Sequence, residues 1–281
     1  MSRFANRRIE LWVEARDGEP AVNPVMTTLL GALRSDGADV HVRVSEWEVT
    51  EPEDATPPPD LVLLKTATTL GMSRAIADEA RGVRFVNRAD ASLKTHDKAA
   101  TVARLADAGL PVPLTFLTVA GAEALLAPPD AQGAWFVKPT RGVHGYGVLK
   151  HPGFPISSAS AVPAAGATVI DDGTRLVQAS VGNDAPDVKV YVAGASIFAG
   201  RKQFRSGSFL RDEIDDVVLD PATTDLVRSV GEALALTIFG VDLRLDEGVW
   251  FVIDANPFPG FRGFPDAVLP LHAEVTKALA T

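Results

Sequence analysis

Four consecutive apolar residues, Leu61-Val62-Leu63-Leu64, follow Asp60 and the triple proline Pro57 to Pro59. A strand without a polar face is tolerated only where both faces are covered, so this run predicts a buried parallel strand with helices on either side. The surrounding sequence agrees. Ile9 to Val13 is short and apolar apart from Glu10, and Val40 to Val44 alternates apolar and polar residues as a strand does. Pro24 to Arg34 places Leu29, Leu30 and Leu33 at helical spacing, and a further helix is expected over Met72 to Arg81 before a strand at Val83 to Val86. Glu51 to Pro59 is a solvated loop, since its prolines remove donors and fix φ. Strands alternating with helices predict an open α/β sheet over residues 1–90.

The rhythm then changes. A helix is expected from Thr95 or His96 to about Ala108, ended by Gly109-Leu110-Pro111-Val112-Pro113. Strands are expected at Thr115 to Val119, Trp135 to Lys138, Leu176 to Gln178, Lys189 to Val192, Ser196 to Ala199, Val241 to Leu245 and Trp250 to Ile253. Helices are expected near Thr223 to Leu236 and Ala267 to Leu279, and Pro152 to Ala165 reads as a connection or broken helix.

Composition removes several functions. The 281 residues hold no cysteine, so disulfides, thiolate metal ligands and a cysteine nucleophile are excluded. With 27 Lys and Arg against 36 Asp and Glu, the net charge of −9 argues against a nucleic-acid partner. No apolar run approaches the roughly 18 residues of a membrane span. Met1 to Val13 reads as a first strand rather than a targeting segment, and a cytoplasmic protein is expected.

Three segments carry chemistry. In the first, Lys138 closes a strand just before Gly142-Val143-His144-Gly145-Tyr146-Gly147. An ammonium beside glycine-rich backbone suits phosphate, although the glycines could equally just turn a hairpin. In the second, Asp242 sits within an apolar strand, as does Asp254, with Asn256 two residues on along the same face. Acids inside apolar runs need a partner; oxygen-only ligands suit Mg²⁺, and Asp-x-Asn before proline can instead cap a turn. The third segment runs from Gln178-Ala179-Ser180-Val181 through Asp187-Val188-Lys189 to Arg201-Arg211, whose eleven residues hold four cations and no acid. That last run is either a solvated basic loop or a neutraliser of a transferring phosphoryl group.

Taken in order, these segments resemble the ATP-grasp superfamily from about residue 87 onward, including Asn87, Asp97-Lys98 and the Gly109 to Pro113 segment. The resemblance is to the ribosomal-protein glutamate ligase and glutathione synthetase type, α/β (α+β) proteins with a small open α/β domain before the nucleotide-grasping part. It implies a substrate-side domain over 1–90 and an ATP-grasp domain over 91–281, the latter divided near 174. It further implies that Lys98 and Lys138 contact ATP phosphates and that Gly142 to Gly147, with His144 and Gly145, closes over them. Gln178 to Val181 would be the hinge, reading adenine through the backbone of Ala179 and Val181, and Asp187 would meet the ribose. Lys189 and Arg201 would hold the γ-phosphate or acyl phosphate, while Asp242, Asp254 and Asn256 would hold Mg²⁺, or Mn²⁺ in its place.

Three positions depart from the ligase pattern: Ala179 replaces an acid, Lys189 an arginine and Asp254 a glutamate. Asp-x-Asn followed by Phe-Pro-Gly, Lys189 and the His-Gly of the loop also resemble the inositol trisphosphate kinases, ATP-grasp proteins that phosphorylate a hydroxyl. The expected activity is an ATP-dependent carboxylate–amine ligase acting on small-molecule or peptide carboxylate and amine substrates. A small-molecule kinase, with His144 or Arg262 orienting its acceptor, is the alternative, and a nucleotide-binding protein without turnover the third reading. Related ligases are often oligomers, so a homo-oligomer is expected.

Overall fold

The computed structural model describes residues 3–47, 57–120, 122, 133–141, 148–153, 173–182, 187–202 and 214–280. Most of the Glu51–Pro59 loop, the glycines and histidine of 142–147 and most of the Pro152–Ala165 and Arg201–Arg211 segments lie outside these residues.

The first sheet is parallel throughout, in the order Asp39–Val44 (β4), Arg8–Val13 (β1), Leu61–Leu64 (β5) and Phe85–Val86 (β6). A small hairpin, Ala15–Arg16 (β2) and Glu19–Pro20 (β3), follows β1. All four residues of β5 are buried, as an all-apolar strand requires. Helix Pro24–Ser35 (α1) covers one face with Met26, Leu29 and Leu33. It starts where it does because the Asn23 side chain accepts the Met26 N–H at 3.1 Å and Pro24 takes the first turn. Helices Thr69–Ala80 (α2) and Ala89–His96 (α3) cover the other face, packing Met72, Ala75 and Ala89 against Trp12, Val62 and Leu64.

The helix expected from Thr95 or His96 to about Ala108 is Lys98–Asp107 (α4), and the separate helix α3 precedes it where none was expected. Asp97 separates them. Its Oδ1 accepts the N–H groups of Ala99 at 3.0 Å and Ala100 at 3.1 Å, which stabilises a fresh helix start over continuation.

Two antiparallel sheets complete the chain. One has the order Thr115–Val119 (β7), Thr174–Ala179 (β10), Trp135–Pro139 (β8) and Leu149–His151 (β9). The other has the order Ile214–Asp216 (β13), Ser196–Lys202 (β12), Val188–Ala193 (β11), Ile238–Asp246 (β14) and Val249–Pro257 (β15). Helix Pro221–Leu234 (α5) packs Val227, Val230 and Leu234 on one face of this sheet, against Val190, Val241 and Leu243. The last helix, Val268–Ala280 (α6), returns to the first sheet, where Leu271 and Val275 share a core with Ile9, Leu29 and Leu33.

Asn87, just after β6, ties the parallel sheet to β14. Its amide nitrogen donates to the Ile238 carbonyl at 2.6 Å, and its oxygen accepts the N–H groups of Thr237 at 2.9 Å and Ile238 at 2.8 Å. The residue is 4% exposed, so water cannot replace these bonds. Replacing Asn87 by Ala should lower the unfolding free energy by about 1–3 kcal/mol, because the buried Ile238 N–H loses its partner and two further bonds to the Asn87 side chain are lost. Urea denaturation measures this, and a loss below about 1 kcal/mol would mean that the junction does not depend on Asn87.

Candidate active site

The site forms where the two antiparallel sheets meet α4. In the larger one, strand register sets three charged residues in a row: Lys189 on β11 opposes Asp242 on β14, which opposes Asp254 on β15. Directly opposed residues share a face. Asn256 shares it too, opposite Gly240, where a Cβ would come 3.2 Å from the Tyr191 ring. The register slips between Asp242 and Leu243, leaving Ile253 as an extra residue on β15. Such a bulge re-aims side chains, and consecutive residues Ile253 and Asp254 both line the same cleft.

Each carboxylate carries its own lysine. Lys189 Nζ lies 2.8 and 2.7 Å from the two oxygens of Asp242, and Lys98 Nζ lies 2.7 and 2.9 Å from those of Asp254. Lys98 reaches Asp254 because Asp97 makes it the first residue of α4, where its N–H also binds the Thr140 carbonyl at 2.8 Å. Burial would raise the Asp254 carboxyl, but Lys98, then Lys138 and Lys189, hold it below the ordinary carboxylate range. Burial holds the Asp242 carboxyl above the ordinary carboxylate range, against the pull of the Lys189 ammonium. With both oxygens bonded to one ammonium the pair is ionised, and Lys189 is held above the ordinary lysine range by Asp242 despite its own desolvation.

The third lysine has less compensation. Lys138 on β8 donates to Gln178 Oε1 at 2.7 Å, and Gln178 donates onward to Thr115 Oγ1 at 3.1 Å. Burial lowers Lys138 from the ordinary 10.5 to about 8, with Asp254 opposing that fall and Lys98 adding to it. Lys98, Lys138, Gln178 and Asp254 form the polar side of a solvent-open cleft. Its apolar walls are Val102, Leu105, Leu176, Val252 and Ile253. The Gly109 to Pro113 segment backs it, the Pro111 carbonyl accepting the Val252 N–H at 2.9 Å.

The other expected residues divide. Ala179 gives its N–H to the Leu114 carbonyl at 2.9 Å, so that group is already engaged. Asp187 accepts from Arg244 Nε at 2.7 Å, and a guanidinium nitrogen of Arg244 reaches the Val181 carbonyl at 3.4 Å. Arg244 belongs to no motif; its one signal is its place two residues beyond Asp242. Arg201 is exposed and opposes Val188, so it belongs to the opposite sheet face from Lys189, whose partner is Gly200. Gly142, His144, Gly145 and Gly147 lie outside the described residues.

No protein-family model matches the chain. It is 25% identical over 203 residues to a probable alpha-L-glutamate ligase of Haemophilus influenzae, across 70% of this chain and 67% of that protein. Among solved structures, the RimK domain ATP-grasp protein of Sphaerobacter thermophilus superposes with a TM-score of 0.75 at 18% identity, covering 96% of this chain and 98% of that one. The chain has the ATP-grasp fold. D-cycloserine synthetase DcsG matches it with a TM-score of 0.68 at 19% identity over 97% and 99% of the two chains. The ATP-grasp ligase PsnB, solved with a minimal precursor, Mg and ADP, matches with 0.65 at 18% over 97% and 98%.

The ATP-grasp frame puts the two acid–lysine pairs side by side, partly exposed, so each is worth more than a surface pair and less than a fully buried one. Lys189→Met and Asp242→Asn should each cost about 1–3 kcal/mol, and the double variant clearly less than their sum. A double-mutant cycle in urea measures the coupling; strict additivity would show that the pair contributes nothing as a pair.

Proposed function

We propose that the protein is an ATP-dependent carboxylate–amine ligase. The observation that carries this reading is the row Lys189–Asp242–Asp254 beside an apolar-walled cleft with Lys98 and Lys138 at its polar side. In this reading the apolar residues face the base of the nucleotide and the lysines meet its phosphates. The likeness to proteins named as ligases supports amide formation over other phosphoryl chemistry.

Lys98 and Lys138 hold the phosphates of ATP, and Lys189 faces the phosphoryl group in transfer. Asp242, Asp254 and Asn256 would hold Mg²⁺, their oxygen-only donor set fitting it, and the ion would supply positive charge to phosphate oxygens. A carboxylate oxygen of the acid attacks the γ-phosphorus and the bridging oxygen leaves on ADP, giving an acyl phosphate. The amine then attacks the acyl carbon, phosphate leaves, and the nitrogen loses a proton, yielding the amide. In-line placement and charge neutralisation account for the rate, with no protein nucleophile needed. The substrates are small-molecule or peptide acids and amines, with residues 1–90 on the acceptor side.

Incubation with ATP, Mg²⁺ and pooled acids and amines should release ADP and phosphate in equal amounts together with an amide product. A product heavier by a phosphoryl group, without free phosphate, would identify a kinase and sink the ligase reading. Asp254→Ala should reduce turnover by about a hundredfold or more while the protein stays folded; unchanged turnover would remove Asp254 from the site.

The low pKa of Lys138 gives a pH test. Only the ammonium attracts phosphate, so ATP affinity should fall as pH rises through about 8. In Lys138→Arg, whose guanidinium stays charged, that fall should disappear from nucleotide titrations between pH 7 and 9.5. A profile identical in both proteins would show that Lys138 does not bind the nucleotide.

A further inference from the structure

The outer strand of an open sheet carries unpaired backbone groups, and soluble proteins blunt such edges with charge, proline, brevity or a covering segment. The described edges follow this rule with one exception. Asp39, His41 and Arg43 alternate along β4, and Arg34 donates to its Val40 carbonyl at 3.0 Å. Strands β2, β3 and β6 are two residues long, and β9 is three, with Lys150 at its centre. Strand β13 ends in Asp215 and Asp216, and the Gly109 to Pro113 segment covers β15 through the bond from Val252 to Pro111.

Strand β7 has none of these devices. Its residues Thr115–Val119 hold no charge and no proline, and among the described residues only β10 pairs with it. The Ala179 N–H bonds the Leu114 carbonyl at 2.9 Å, and the Ala120 N–H bonds the Gly173 carbonyl at 2.7 Å. These two bonds fix the alternation of the ladder: Leu114, Phe116, Thr118 and Ala120 turn their backbone groups to β10, and Thr115, Leu117 and Val119 turn theirs outward. The Ala122 N–H takes the Val119 carbonyl at 3.0 Å. The N–H and C=O of Thr115 and Leu117, and the N–H of Val119, remain along the open edge.

The side chains beside those groups are apolar and exposed. Leu117 is 60% and Val119 58% exposed, on the face that carries the cleft. Leu117 opposes Leu176, a wall of the cleft, and Leu176 opposes Lys138. Thr115 opposes Gln178 and accepts from it at 3.1 Å. The apolar strip therefore continues the cleft wall outward, with Leu117 two strand spacings, about 10 Å, from Lys138.

An unpaired edge can take a second copy of the chain or an extended peptide. A two-fold pairing centred on Leu117 would match Thr115 of one copy with Val119 of the other, whose carbonyl already serves Ala122. So short a strand also buries far less than the roughly 800 Å² per partner of a stable complex. A peptide is held by main-chain bonds to the edge and selected by its alternate side chains, which suits a short apolar edge beside a cleft.

We infer that the outer edge of β7 docks an extended peptide with apolar residues at alternate positions. The peptide adds a fifth strand to this four-stranded sheet, bonds the backbone of Thr115 and Leu117, and sets apolar side chains on Leu117 and Val119. In the ligase reading, on which the purpose of this edge rests, the peptide carries the acid or the amine to be joined. Its docking needs no turnover.

The probe is a fluorescein-labelled, end-capped peptide of sequence Lys-Thr-Val-Thr-Val-Thr-Lys. It is titrated by anisotropy against the full chain with Mg²⁺ and a non-hydrolysable ATP analogue. Two further probes carry N-methyl groups on both valines or on all three threonines, because alternate amides of a strand face opposite edges. The parent should bind, and one methylated probe should lose about tenfold or more in affinity while the other keeps it. Loss on valine methylation means antiparallel docking, and loss on threonine methylation means parallel docking. Leu117→Thr removes the apolar side chain, and Leu117→Pro removes an outward N–H that an edge strand can spare. Each should weaken the parent probe by about fivefold or more. Both variants should keep the nucleotide affinity, which reports that they are folded; if the proline variant loses it, Leu117→Thr and the methylated probes decide.

No binding of the parent, equal binding of all three probes, or unchanged binding by Leu117→Thr would overturn the docking edge. So would sedimentation as a dimer that Leu117→Pro converts to monomers, which would give the edge to a second copy. If the probe pattern holds and turnover yields a phosphorylated product without an amide, the edge stands and the ligase reading falls. If amides form and the probe pattern fails, the ligase stands and the edge falls.

Discussion

Two carboxylates on neighbouring strands of a largely apolar sheet would repel each other and lose their hydration on folding. Asp242 and Asp254 are in that position, opposed across β14 and β15, and each is held by a lysine that contacts both of its oxygens. The architecture around them delivers these two ammonium groups. Lys189 comes from the adjacent strand by register alone. Lys98 comes from a separate helix, which must start at one residue and lean against the sheet. The Asp97 cap provides the start, and the bond from Lys98 N–H to Thr140 anchors it beside β8.

The same arrangement links the layers. Asn87 spends its whole amide on the backbone at the start of β14, so the parallel sheet and the acid-bearing strand hold a common position. Helix α6, the last element in the sequence, closes the core of the first sheet, and Phe258 and Phe261 join that core from just beyond β15. A disturbance of the parallel sheet therefore reaches the turn after Asn256 through packed side chains rather than through a flexible linker.

Much of this was legible in the sequence because it follows from local rules. The uninterrupted Leu61 to Leu64 run marked a strand covered on both faces, and acids inside apolar runs marked Asp242 and Asp254 as needing partners. What was not legible depends on pairing. Asp97 read as part of one helix, since its capping role appears only when Lys98 has somewhere to go. Arg201 stood out in a basic run, yet register with Val188 assigns it to the other face of the sheet; period-2 alternation cannot fix a face until the partner strand is known. The bulge that turns Ile253 into the cleft beside Asp254 leaves no mark in composition.

A lysine rather than an arginine at position 189 is intelligible from its pairing with Asp242. An arginine opposite Asp242 would form a two-pronged bond of fixed shape, strong but slow to yield to another anion. A lysine is a point charge on a flexible stem. It neutralises Asp242, and in the proposed function it would turn to a phosphate oxygen once Mg²⁺ held the carboxylate. Lys98 and Asp254 stand in the same relation. In the proposed reaction the cations that balance Asp242 and Asp254 are also those that would receive the phosphates. The net charge of −9 describes the solvated surface, while inside the cleft each acid is already matched to a cation that binding can redirect.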